Sequence, residues 1–352
     1  MDVLSLLFKK KKRLSNLQQP LSFFKLAQHF DIFYVCFDEP NRDQNWLQIS
    51  TLLPKVQKVE GVVGFDLALK TCAKKAKTHH FFVIDGDNQL LISRFHNPIV
   101  IPEIQNDWVL SWSSYNPLNG LSYGNGGLKL WPRRVASQMK SHEVAGKSED
   151  PTDYCFIVDY YLVDDHVTQT IINCTSEQAF RAGLREGVKM SLNLGKQTTL
   201  NSQNFHQVLS HQNRFRLKTW CEVGADVANG YWAILGARLG LKLNAIDKFS
   251  YKNINSFDWI DEYFKSEILD KYKVAGPGPN GDQPINSEIL EVIGSLGLEI
   301  EAALGLKLHL LSPAQSAHFK ESLQNPSRSG LLLEKSIQKT KGDSPHGPRS
   351  RF

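Results

Sequence analysis

The chain has 352 residues, 41% hydrophobic and 22% charged, with a net charge of +5 at neutral pH. That length allows one large α/β domain or two smaller ones around a sizeable core, and the composition excludes collagen-like, low-complexity and disulfide-scaffold classes. No apolar run reaches transmembrane length, and the apolar start Met1–Phe8 precedes its lysines, the reverse of a secretory signal, so a cytoplasmic protein without a membrane partner is expected.

Cysteines 36, 72, 155, 174 and 221 show no paired spacing, which fits reduced thiols and neither a disulfide nor a zinc framework. Charge is uneven along the chain. Lys9–Arg13 against Asp2 put +4 on the first 13 residues, residues 313–352 carry another +4, and the body between them is −3. Basic ends on a near-neutral body suit a polyanion such as DNA, or are simply solvated.

Residues 14–28 predict a modest helix, completing an N-terminal segment over 1–30. Asp31–Phe37 is a strand ending in the turn Asp38-Glu39-Pro40-Asn41. Asp43–Leu53 is helical and stops at Pro54. Val56–Val59 is a short strand, and Gly64–Lys77 a helix with Leu67, Ala68, Cys72 and Ala76 near one face. Phe81–Ile84 is a continuous apolar strand. This βαβαβ alternation predicts a parallel sheet. Neither G-x-G-x-x-G nor a P-loop is present, so dinucleotide and P-loop chemistry are unsupported.

The Phe81 strand ends in Asp85-Gly86-Asp87-Asn88. Gly86 permits a sharp turn. Two carboxylates one residue apart at a strand's carboxyl end can face the crevice where open α/β sheets bind ligands. Carboxylate oxygens suit Mg²⁺ or Mn²⁺ held jointly with substrate phosphates. The same four residues are also ordinary turn chemistry.

Ile99–Ile101 and Val109–Trp112 predict short strands leading into a glycine-, asparagine- and aromatic-rich loop that runs to Pro132. Gly124, Gly126 and Gly127 would let backbone approach a ligand. Asn116, Asn119 and Asn125 offer amides, and Tyr115, Tyr123 and Trp131 offer stacking faces. Lys129 could neutralise a phosphate. Pro132 suits the first turn of a helix to Lys140. Residues 141–152 predict a loop, and Cys155–Tyr161 a strand.

Ser176 is a candidate N-cap for a helix through Met190. Phe180, Leu184 and Val188 form its apolar row, and Arg181, Arg185 and Lys189 a basic row that could face phosphates or solvent. Helices are then expected at about 203–210, 213–220, 228–240, 256–270 and 285–304, with Asp226 at or near the cap of the third. After Pro313 the composition predicts a disordered tail with a short helix at 330–338.

Three blocks resemble a family of GT-A-fold glycosyltransferase-like proteins of tailed bacteriophages. They are Phe37–Asn41 through the Asp-x-Asp; Asn119–Leu121 with Tyr123–Pro132; and Asn173 with Phe180–Lys189. The resemblance implies a GT-A-like, mostly parallel sheet flanked by helices, with a helical C-terminal region and a disordered tail. The expected parts are a catalytic core over 31–192, a helical part over 193–312, and a basic tail over 313–352. It also implies a nucleotide-sugar donor, a UDP-sugar foremost, and a hydroxymethylated pyrimidine in double-stranded phage DNA as acceptor, in the host cytoplasm. On that reading Asp85 and Asp87 hold the metal and diphosphate. Glu39 and Asn88 line the donor pocket, as does the Tyr123, Gly124, Asn125, Gly126, Gly127 and Lys129 loop. Arg181, Arg185 and Lys189 neutralise the leaving group. Asp226 and Glu186 are the candidates for catalytic base. A nucleotidyltransferase and a non-catalytic DNA-binding protein are the alternatives.

Overall fold

The computed structural model describes residues 21–99, 107–123, 126–140, 158–274, 285 and 287–324. The expectations for residues 1–20, Gly124, Asn125, 141–157 and 325–352, the 330–338 helix among them, lie outside the described residues. The chain divides into two compact units. The first holds the described residues to Asn116 together with Ser122–Ile171; the second holds Pro117–Leu121 and the described residues from Ile172 onward.

The first unit is a mixed α/β layer. Its elements are β1 (Leu21–Ser22), α1 (Phe23–Ala27), β2 (Asp31–Cys36), α2 (Arg42–Leu52), β3 (Gln57–Glu60), α3 (Phe65–Lys75), β4 (His80–Asp85), β5 (Asn88–Leu90), β6 (Pro98–Ile99), β7 (Val109–Tyr115), β8 (Ser122–Tyr123), β9 (Leu128–Pro132), α4 (Arg133–Ser137) and β10 (Tyr160–Thr170). The main sheet has the order β3-β2-β4-β9-β7-β10-β5, with β8 on β7. Strands β3, β2, β4, β7 and β10 run one way; β9, β8 and β5 run against them.

Side-chain alternation explains how this sheet is buried on both faces. Ile32, Tyr34, Cys36, Phe82 and Ile84 pack against Phe23, Leu26 and Ile49 from α1 and α2. Phe33, Phe81, Val83 and Trp131 pack against Leu69, Cys72 and Ala73 of α3 and Ala136 of α4. The region expected as one long ligand loop is therefore largely sheet. Strand β9 is inserted antiparallel between β4 and β7, and Trp131, expected to offer a stacking face, is buried in the core. The helix after Pro132 is also shorter than expected, ending at Ser137.

The second unit is helical: α5 (Ser176–Met190), α6 (Phe205–Val208), α7 (His211–Glu222), α8 (Gly230–Ala245), α9 (Phe257–Tyr263, continued as a π-helix over Phe264–Asp270), α10 (Ser287–Leu304) and α11 (Pro313–Gln324). Its centre is a backbone-to-backbone seam. A Cβ on Gly183 or Gly187 of α5 would strike the carbonyls of Ala233 and Ala237, and one on Gly236 or Gly240 of α8 those of Phe180 and Leu184. This seam explains why α5 belongs to the helical unit, where the sequence reading placed it in the core ending at 192. Arg238, 2% exposed, donates from Nε to the Cys221 carbonyl and from Nη1 to that of Ile293, tying α7, α8 and α10 together.

Residues 313–324, expected to be disordered, are helical. The Ser312 amide donates to Gln315 Oε1 and the Gln315 amide to Ser312 Oγ, a capping box with Pro313 in the first turn. The caps of α5 and α8 also differ from expectation. Thr175 caps α5 through the Gln178 amide, and Asn229, at φ 57°, replaces Asp226 as N-cap of α8.

Candidate active site

Strands β2 and β4 lie side by side and parallel, and their exits diverge. From β2 the chain goes outward to β3; from β4 it goes to β5, at the far edge of the sheet. The crevice at their carboxyl ends is the usual ligand position in an open α/β sheet. Glu39 follows β2, Asp85 ends β4, and Gly86 and Asp87 form the turn beyond it.

Contacts within the first unit hold this edge together. The Gly86 carbonyl accepts from Tyr34 Oη (2.7 Å) and Asn45 Nδ2 (2.8 Å). The φ of Gly86 is not among the positive values, so space and not backbone sign explains the glycine. A Cβ there would lie 2.6 Å from Glu39 Cδ and Oε2. Glu39 in turn accepts from the Phe37 amide (2.8 Å).

Asp85 takes its backbone position from the Gly127 carbonyl, 2.8 Å from its amide, and its Oδ2 faces Lys129 Nζ at 3.0 Å. Lys129 is buried and Asp85 is 41% exposed in its side chain. The lysine expected to meet a phosphate is thus the counter-ion of the first carboxylate. Asp87 Oδ1 accepts from Asn88 Nδ2 at 2.6 Å. Asn88 is only 1% exposed; its role is to support Asp87, where the sequence reading gave it a ligand contact. Its Oδ1 accepts from Ser114 Oγ (3.0 Å), Thr168 Oγ1 donates to Ser114 Oγ (3.1 Å), and the one hydroxyl proton of Thr170 lies between Ser114 Oγ (2.7 Å) and Asn88 Oδ1 (3.3 Å). Gly126 and Gly127 fit this network: a Cβ on Gly127 would fall on the Asn88 amide, and one on Gly126 would lie 2.5 Å from the Ser114 nitrogen. Tyr123 pairs with Ser114 across β8 and β7 and is part-exposed.

The electrostatics follow from burial first and from crowded like charges second. Asp87 keeps some exposed surface, yet its carboxyl is pushed up to about 7. Burial is the main cause and the charge of Asp85 the next; Glu39 adds to it, while the Asn88 hydrogen bond and Lys129 oppose it. Burial also raises Glu39, against the Phe37 amide. Among the described residues no three His, Cys, Asp or Glu side chains form a self-sufficient metal site. Sites of one or two carboxylates complete their shell with phosphate oxygens and water.

No protein-family model matches the chain, and no curated protein matches it.

The remaining predicted residues belong to the second unit. Arg181 Nη2 pairs with Asp261 (3.1 Å), and the guanidinium carbons of Arg181 and Arg185 lie 4.5 and 5.0 Å from the Phe257 ring centroid. Lys189 faces Glu186 at 3.6 Å. The basic row thus makes structural contacts within its own unit. Asp226 Oδ2 is 2.6 Å from Lys320 Nζ of α11, and Lys320 also donates to the Pro117 carbonyl (3.0 Å). The sequence reading missed Ser114, Thr168, Thr170 and Lys320. Only the hydroxyls at the ends of two apolar strands offered a signal for the first three. Among the described residues no helix is long and apolar enough to cross a membrane.

Proposed function

We propose that the chain is a glycosyltransferase moving a sugar from a nucleotide-sugar donor, a UDP-sugar foremost, to an acceptor hydroxyl. The observation that carries this reading is the convergence of Asp85, Asp87 and Glu39 at the carboxyl ends of β2 and β4, with Lys129 as the lysine paired to Asp85. A nucleoside diphosphate needs positive charge and hard oxygen ligands at such an edge. The residues fit a divalent ion, because a bound cation would offset both the burial, which is the main cause, and the Asp85 charge that together keep Asp87 protonated up to about 7.

Asp85 and Asp87 would hold Mg²⁺ or Mn²⁺, which when bound neutralises charge on the diphosphate leaving group. Asn88, fixed by Ser114 and Thr170, orients Asp87. Glu39 packs on Gly86 and lines the nucleoside side of the same edge. The proposed acceptor, a hydroxymethylated pyrimidine in double-stranded phage DNA, rests on the resemblance to GT-A-like phage proteins.

The test is mass spectrometry of nucleosides from modified DNA incubated with the protein, a divalent cation and a panel of nucleotide sugars. A hexose-type mass increment with release of a nucleoside diphosphate is expected. A nucleotide on the product with pyrophosphate release would assign a nucleotidyltransferase instead, and no product with any donor would overturn both.

A further inference from the structure

The edge of the sheet opposite the carboxylates carries the reverse charge. Strand β4 starts at His80 and β9 ends at Pro132, so this edge lies roughly 16–17 Å from Asp85, one strand length away. Here α3 and α4 flank a cleft of about 620 Å³ lined by Lys70, Lys74, His79, Arg133 and Arg134. Lys70 and Lys74 stand one helical turn apart on α3. Arg133 is fixed at both ends: its amide donates to the His79 carbonyl (2.8 Å) and its Nε to that of Ala73 (3.0 Å). Its terminal nitrogens are thereby held in place before any ligand arrives. Arg134 pairs with Asp107 at 2.6 Å on the exposed rim. Among the described residues no carboxylate pairs with Lys70, Lys74 or Arg133.

We infer that this cleft binds phosphate oxyanions, as a second anion site independent of the carboxylate edge. The physical case is the concentration of fixed positive charge. Three cations with no carboxylate partner among the described residues line one concave surface of ligand-sized volume, and low-dielectric walls there focus their field. A preorganised guanidinium is suited to bidentate phosphate contact. The cations lie along an open cleft, so the phosphates could belong to a nucleic-acid backbone or to a free oligophosphate. The inference does not depend on the transferase reading, since it uses none of Glu39, Asp85, Asp87 or Lys129.

The experiment compares the full chain with the Lys70→Gln/Lys74→Gln/Arg133→Gln variant, both in chelator, against inorganic pyrophosphate by calorimetry and a short DNA duplex by anisotropy over a salt series. At least about a ten-fold loss of affinity is expected for whichever probe supplies the phosphates. If it is the duplex, the salt slope should also fall by about 2–3, one unit for each phosphate contact removed. Loss for the duplex alone assigns a polymer backbone, and loss for pyrophosphate alone a free oligophosphate. Unchanged affinity for both overturns the site. Thermal melting checks the fold. Lys74→Glu, a change at an exposed residue, repeats the test if the triple variant does not fold. Mn²⁺ binding at the carboxylate edge should be unaltered, so failure here and failure of the transferase reading remain distinguishable.

Discussion

Lys129 Nζ lies 3.0 Å from Asp85 Oδ2, so the first carboxylate of the Asp-Gly-Asp turn already has a cation when no ligand is bound. The lysine and a divalent ion would share that oxygen's field. Replacing Lys129 by methionine keeps most of the volume and removes the competing charge. We expect Mn²⁺ to bind several-fold more tightly to Lys129→Met, with lower transferase turnover. Stability should change by less than about 1.5 kcal/mol, because the partly exposed Asp85 can be hydrated. Weaker Mn²⁺ binding, measured by paramagnetic titration, would show that Lys129 organises the site and does not compete in it.

Asp87→Asn should lower turnover by at least about 100-fold, the equivalent of roughly 3 kcal/mol of transition-state stabilisation. The same substitution has a sign-specific effect on stability. The Asp87 carboxyl is raised to about 7 from an ordinary 3.8, so between those values the folded protein holds a proton that the unfolded chain has released. Stability therefore falls as pH rises through that window, by at most about 1.4 kcal/mol per pH unit. The asparagine variant lacks this loss. Denaturant titrations from pH 4 to 8 without divalent ions should show a flatter profile for the variant; parallel profiles would contradict the assignment.

Gly127→Ala should act at a distance from any ligand. Its Cβ would displace the Asn88 amide and with it the hydrogen bond that orients Asp87. A stability loss of about 1–3 kcal/mol is expected, with a fall in turnover. Gly294 in α10 is the control: a Cβ there meets nothing within 4 Å, so Gly294→Ala should stabilise the chain by about 0.5–1 kcal/mol. Equal melting shifts for the two variants would mean that the Gly127 environment adapts freely.

These residues also show what the sequence made legible. The Asp85–Asp87 turn and the strand before it are local, and the apolar run followed by turn residues was enough to place them. Helices α5 and α8–α10 were anticipated because their apolar periodicity is local too. Lys129 was misplaced because a Gly-rich stretch suggested a loop, although Leu128, Leu130 and Trp131 surround it with strand-forming residues. The Asn88–Ser114–Thr170 network depends on strands 26 and 82 residues from Asn88 becoming neighbours, which no local pattern reports. The sequence did contain the signal for α11. Ser312, Pro313 and Gln315 spell a helix start, but the polar composition of residues 313–352 as a whole pointed to disorder.

Helix α11 leads to the last prediction. Lys320 and Asp226 form an ion pair whose side chains are 12% and 15% exposed, and Asp226 Oδ1 has no hydrogen-bond partner among the described residues. Lys320→Met would leave that carboxylate nearly buried without its cation, at a cost of about 3 kcal/mol or more. Asp226→Asn should cost less, because a neutral amide tolerates burial, and adding it to Lys320→Met should recover part of the loss. A double-mutant cycle by urea denaturation therefore gives a coupling well above the 0.5 kcal/mol seen for independent sites. Ending the chain after Leu311 should reproduce the Lys320→Met loss, since it removes the whole helix. Lys320 Nζ already holds Asp226 Oδ2 at 2.6 Å. If Asp226→Asn nevertheless abolishes turnover while the Lys320→Met/Asp226→Asn protein stays folded, Asp226 has a chemical role beyond its pairing. If turnover tracks stability through the whole cycle, Asp226 is the anchor of α11 and nothing more.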